Sequence, residues 1–243
     1  MARTCVAILT VLLSIVFVAD APLPMESPRD QAGQPTAEEV IARHVAAVGG
    51  LERLQAVETI VVEGKISGVA ATAHTIIKKF IKPNFMRQEV DDGAHVLVTD
   101  GSRVWSVRGD EWIEYTRPNP GRNMNHANLF NDMLYYREKG TAFEYVAEEN
   151  IDRVDLQHLR KIHQDGSSTD LYFSVETGLL TLERSALGGH THQVSYFNYR
   201  EVEGILFPFF LVISYDHLHP PHVLWVESIR VNIDLAESLF EPQ

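Results

Sequence analysis

The chain has 243 residues, 45% of them hydrophobic, enough for one well-filled core and, in an all-β fold, commonly a single domain. Its formal net charge of -12 argues against nucleic acid or an anionic membrane as the main partner, since either requires a concentrated basic surface. The sole cysteine, Cys5, precedes the first apolar run, so the chain after that run has no thiol for nucleophilic catalysis, a disulfide or a Cys-ligated metal.

Arg3, the apolar run Val6 to Ala19 and the A-x-A site Ala19-Asp20-Ala21 read as a signal peptide over residues 1–21, which predicts a periplasmic or secreted protein. Pro22 disfavours cleavage at that site, so an uncleaved N-terminal anchor is the alternative. Residues 22–35, rich in Pro with Asp, Gln, Ser and Gly and little to bury, read as a flexible leader, and residues 36–243 as one domain. Thr36-Ala37-Glu38-Glu39 is a capping box. It opens a helix whose stripe is Ala37, Val40, Ile41, Val45 and Val48, stopped by Gly49-Gly50, with a second helical turn over Leu51 to Ala56.

From Thr59 the pattern becomes that of short strands: Thr59 to Ser67, His74 to Lys82, Phe85 to Val90, His95 to Thr99, Arg103 to Val107 and Glu111 to Tyr115. Asp92-Gly93, Asp100-Gly101 and Gly109-Asp110 separate them, as in a meander of antiparallel hairpins. Arg117 to Arg122 interrupts the meander, and Leu129, Phe130, Met133, Leu134 and Arg137 then predict an amphipathic helix over Asn125 to Glu138. Strands resume at Phe143 and run to Ile233, about a dozen in all, with Asp216 to His222 read as a loop. In the last three, Phe197, Tyr199, Phe207, Phe209, Leu211, Ile213, Val223, Trp225, Ile229, Val231 and Ile233 fall at period two and predict one wide apolar face. Such a face needs a cover, and the helices are the candidates.

The ordered set of a capped helix ending in Gly-Gly-Leu, Val61-Val-Glu-Gly64, Pro83-Asn84-Phe85-Met86-Arg87, Asp100-Gly101 before Val104-Trp105, Tyr199 to Pro208, Val231-Asn232 and Ser238-Leu-Phe240 resembles the LolA/LolB-like superfamily. These are exported bacterial proteins related to outer-membrane lipoprotein-sorting proteins, and the resemblance runs from Thr36 to Pro242. It implies an open antiparallel β-barrel of about eleven strands, mainly β with helices over the concave face. It also implies a cavity that shelters acyl chains, lipids or lipoproteins, with an envelope protein as a possible partner, no catalysis and no cofactor. The lining expected from alternation is Ile60, Val62, Phe80, Met86, Trp105, Leu129, Met133, Leu134, Phe173, Leu182, Phe209, Leu211 and Trp225. If so, replacing Met133 by Trp should reduce lipid binding and leave the fold intact.

Against this stands the histidine content, eleven in all, with His190, His192, His217, His219 and His222 near the end. Two imidazoles at i and i+2 of a strand share a face, so these five could form a metal site of a metal-binding protein or metal-dependent enzyme, provided three or four of them converge. No G-x-S-x-G, P-loop or G-x-G-x-x-G is present, and the paired acids fall at turns and a helix start. Lys78, Lys79 and Lys82 read as solvated strand positions divided between the two faces. The third reading is an envelope adaptor with a fully packed sheet.

Overall fold

The computed structural model describes residues 33–67, 73–81, 85–100, 103–108, 111–114, 131–137, 140–187, 189–216 and 218–241. The expected signal peptide, most of the leader, Leu129 and His217 lie outside them. Residues Pro35–Gln243 form one compact unit.

Helix α1 (Ala37–Ala47) starts where the capping box places it. The Glu39 amide donates to the Thr36 hydroxyl at 3.2 Å, and the Thr36 amide donates to the Glu39 carboxylate at 2.7 Å. Gly49 and Gly50 both take positive φ, which turns the chain into the short α2 (Leu51–Gln55). Of the helix expected at Asn125 to Glu138, the described part is one turn, α3 (Asn131–Leu134).

Among the described residues thirteen strands make up the sheet, rather than about eleven. They are β1 (Thr59–Ser67), β2 (Ala73–Ile81), β3 (Phe85–Val90), β4 (His95–Thr99), β5 (Val104–Arg108), β6 (Glu111–Glu114), β7 (Ala142–Ile151), β8 (Val154–Ile162), β9 (Ser168–Ser174), β10 (Leu180–Leu187), β11 (His190–Val202), β12 (Ile205–Tyr215) and β13 (Leu218–Val231). The stretch expected to be a loop, Asp216 to His222, is mostly strand, since β13 already begins at Leu218. Its prolines are tolerated because the β1 partner ends at Ser67 opposite Val223, leaving Pro220 and Pro221 beyond that ladder. A 3-10 turn, Glu237–Phe240, closes the described chain.

All strands lie in one open antiparallel sheet, in the order β6-β5-β4-β3-β2-β1-β13-β12-β11-β10-β9-β8-β7. Each half is a meander of neighbours, and the β1–β13 ladder joins the two halves. Strands β6 and β7, consecutive in the chain, sit at opposite edges, so the segment carrying α3 connects one edge to the other.

Register divides the side chains between two faces, because residues directly opposite on neighbouring strands point the same way. The inner face carries Ile60, Phe80 and Met86 in one core with Val48 and Leu54 at the helical corner and Phe207, Phe209 and Leu224 from the far half. A second core sets α1 residues Ala37, Val40 and Ile41 on Leu159, Leu171 and Phe173. On the outer face Val96, Val98, Trp105 and Val107 pack under Phe240 of the terminal turn. Arg87 secures that turn by donating to the Leu239 carbonyl at 3.2 Å.

Candidate functional site

The inner face is not covered evenly. Val62, Ile66, Leu97 and Leu211 pack against the first core yet remain half-buried. The ladder aligns Ile66 with Leu224 on β13 and Leu224 with Leu211 on β12. These aliphatic side chains pack against the core and keep part of their surface accessible, a chemistry that suits an apolar ligand.

Of the residues expected to line a cavity, Ile60, Val62, Phe80, Met86, Phe209 and Leu211 share this face and its core, and Leu134 packs against them. Phe173 and Met133 belong to the adjoining core beneath α1. Trp105, Leu182 and Trp225 do not join them. Trp105 stands opposite Val98 on the outer face and meets Trp112 edge-on at 5.9 Å. Leu182 faces Tyr172 and packs with Leu156, because a bulge at Thr181 places Leu180 inward and Leu182 outward. Trp225 is turned out by a second bulge. Glu63 pairs with Ser228 and Gly64 with Val226, so Glu227 is the extra residue, and alternation changes sign between Ile229 and Trp225. Val223 goes outward with Trp225, and Phe197 pairs with Phe210 on that side. Phe197, Phe210 and Trp225 form a row with ring spacings of 5.9 Å, and its two ends are 45% and 44% exposed.

Polar residues also point into this side of the sheet, among them His44, Lys78 and Gln88. His44 lies on the buried stripe of α1, its Nδ1 3.0 Å from the Gly178 carbonyl and its ring 5.1 Å from Phe173. Burial lowers its pKa and the Gly178 hydrogen bond offsets part of that, so it is a neutral core group at physiological pH. Lys78, expected on a solvated surface, has the parity of Ile76 and Phe80 and points inward, and Gln88 stands opposite it on β3. The signal is the alternation of β2 itself, where Ile76, Lys78 and Phe80 fall at period two.

The histidines do not assemble a metal site among the described residues, where no group of three or more His, Cys, Asp or Glu comes together. His190 pairs with Asp216 at 3.0 Å, both about half exposed. His192 is buried beside Tyr215, with ring centroids 4.8 Å apart, and Tyr215 meets the His222 ring at 6.3 Å.

On the outer face His158 is held between two carboxylates, Nδ1 2.7 Å from Glu149 and Nε2 3.0 Å from Asp170, while Arg160 donates to Asp170 at 2.9 Å. Burial pushes the Asp170 pKa up, but the Arg160 hydrogen bond and the His158 ring beside it outweigh this and hold the carboxyl below its usual 3.8. Glu89 behaves alike, with burial overcome by Lys79 and Arg87, each 2.7 Å away. A carboxyl with a lowered folded pKa stabilises the protein above its unfolded value and loses that contribution as pH falls through the folded one. The urea midpoint is therefore expected to fall between about pH 5 and pH 2, and Asp170→Asn to flatten that dependence. Parallel curves for the two proteins would show that the pair carries no such linkage.

The class defined by this arrangement is an open antiparallel sheet whose inner face is partly covered by one substantial helix, the LolA-like fold. A LolA superfamily protein from Nitrosomonas europaea matches 86% of this chain and 98% of its own at 15% identity, with a TM-score of 0.59. A domain classed with outer membrane lipoprotein-sorting proteins, from Vibrio parahaemolyticus, matches 84% and 95% at 13% identity and a TM-score of 0.60. A DUF1329 family protein from Desulfovibrio piger matches 83% and 95% at 12% identity and a TM-score of 0.59. No protein-family model matches the chain, and no curated protein matches it. Identities of this size establish a shared fold and leave function to the site.

Proposed function

We propose that the protein is an exported, non-enzymatic carrier that shelters a lipophilic ligand, an acyl chain, lipid or lipoprotein, between the open barrel formed by the sheet and its helices. The observation that carries this reading is the set of half-buried aliphatic side chains Val62, Ile66, Leu97 and Leu211, in two cross-strand rows on the same face as a dense core. Each methylene removed from water there contributes about 0.8 kcal/mol, so a short length of chain gives useful affinity before ordering costs. The LolA-like fold and the signal-peptide pattern agree with a task in the bacterial envelope. Met133 lies against the core under α1, so Val62 is the sharper probe of the open part. Val62→Trp is expected to reduce lipid retained through gentle purification about tenfold, read by native mass spectrometry, with the circular dichroism spectrum unchanged. Retention equal to that of the unmutated protein, or no retained lipid in either, would overturn the reading.

A second reading, an adaptor that binds another envelope protein, is favoured by the exposed aromatic row Phe197, Phe210 and Trp225 on the opposite face. Phe197→Ser with Trp225→Ser would weaken partner capture while leaving lipid retention intact.

A further inference from the structure

Lys78 stands in a row of same-face side chains that crosses the sheet as Ile229, Val62, Lys78, Gln88, Leu97 and Ser106. Along β2 its neighbours on that face are Ile76 and Phe80, which are 3% and 9% exposed. Direct pairing of β2 with β3 sets the Lys78 and Gln88 side chains next to each other, since facing side chains on adjacent strands begin only about 5 Å apart. Among the described residues neither side chain has a hydrogen-bond or ionic partner. The next lysine is satisfied differently. Lys79 points to the outer face and meets Glu89 at 2.7 Å.

Both Lys78 and Gln88 keep part of their surface accessible, yet burial lowers the Lys78 pKa. Lys78 is thus an inward-facing, half-buried side chain between the buried Ile76 and Phe80. An ammonium among aliphatic groups is destabilising until a counter-charge reaches it. Val62 beside Lys78 and Leu97 beside Gln88 are half-buried aliphatic groups that offer no charge. What fits both is a molecule with one anionic end and a long apolar remainder.

We propose that Lys78 and Gln88 form the headgroup site of this face for a long-chain fatty acid. The carboxylate pairs with the ammonium and accepts a hydrogen bond from the Gln88 amide, while the chain lies along Val62, Ile66 and Leu211. This rests on the carrier reading and specifies its ligand.

The test compares palmitate, hexadecanol and acetate on delipidated protein by calorimetry at neutral pH. Palmitate is expected to bind about tenfold or more tighter than hexadecanol, the size of one charge-assisted contact. Acetate is expected not to bind, because it has the charge without the chain. Lys78→Met should remove the preference and leave hexadecanol affinity unchanged or improved, and Gln88→Leu should remove part of it. On the unmutated protein palmitate should also slow acetylation of Lys78 but not of Lys65, which lies on the outer face beside Glu227. That second readout stands even if the Lys78 variant does not fold. Equal affinity for palmitate and hexadecanol, or a preference that survives Lys78→Met, overturns the headgroup site and leaves the carrier intact. Binding of neither overturns both.

Discussion

Gly64→Ala is expected to lower stability by about 2–4 kcal/mol, read by urea unfolding, a large effect for one added methyl group. A Cβ at Gly64 would sit 2.3 Å from the Trp225 carbonyl oxygen and 3.1 Å from both that carbonyl carbon and the Val226 Cα. All three atoms are backbone, so no rotamer change can make room. The position also matters for topology. Gly64 is where β1 pairs with Val226 just past the bulge, within the ladder that joins β1–β6 to β7–β13. Displacing β13 there disturbs the register of both halves, and the bulge sets which of Ile229 and Trp225 faces inward. Lys65→Ala is the matched control. Its side chain is 53% exposed and pairs with Glu227 across the surface, so a change within about 0.5 kcal/mol is expected. If Gly64→Ala unfolds with Lys65→Ala and not well before it, the close approach of the two strands does not constrain the fold.

The elements legible in the sequence are those whose signals are local. Thr36 to Glu39 announces α1 because both capping partners lie within four residues, and Asp-Gly or Gly-containing turns separate the hairpins. What alternation cannot supply is its own sign after an interruption. The extra residues at Thr181 and Glu227 are ordinary strand residues, and each reverses the face of the positions beyond it, so unbroken alternation puts Leu182 and Trp225 on the wrong side. Placing Trp105 requires knowledge of a distant partner, Phe240, which packs on the outer face. His219-Pro-Pro-His222 resembles a loop because nothing local reveals that β1 stops opposite Val223. Lys78 is obscured for a different reason. Period two places it with Ile76 and Phe80 while its charge suggests solvent, and charge does not decide orientation in a strand bounded by buried neighbours.

Phe173→Ala is expected to lower stability by about 3–5 kcal/mol, the range for truncating a fully buried aromatic side chain. The ring is 1% exposed beneath α1, against Leu159 and Leu171 and 5.1 Å from the His44 ring. Its removal leaves a void between helix and sheet and weakens the contact that holds α1 in place. Leu211→Ala provides the contrast. Leu211 is half-buried on the same face, so less apolar surface is lost and about 1–2 kcal/mol is expected. The pair distinguishes packed core from reserved surface, although both are candidates for the same lining. Ligand then separates them further. A lipid that covers Leu211 adds stability by mass action, and that increment should shrink in Leu211→Ala. In Phe173→Ala the increment should persist on a lower baseline, provided α1 stays docked. Similar losses from both substitutions, with no ligand-dependent difference, would mean that the whole inner face is filled by the chain's own side chains.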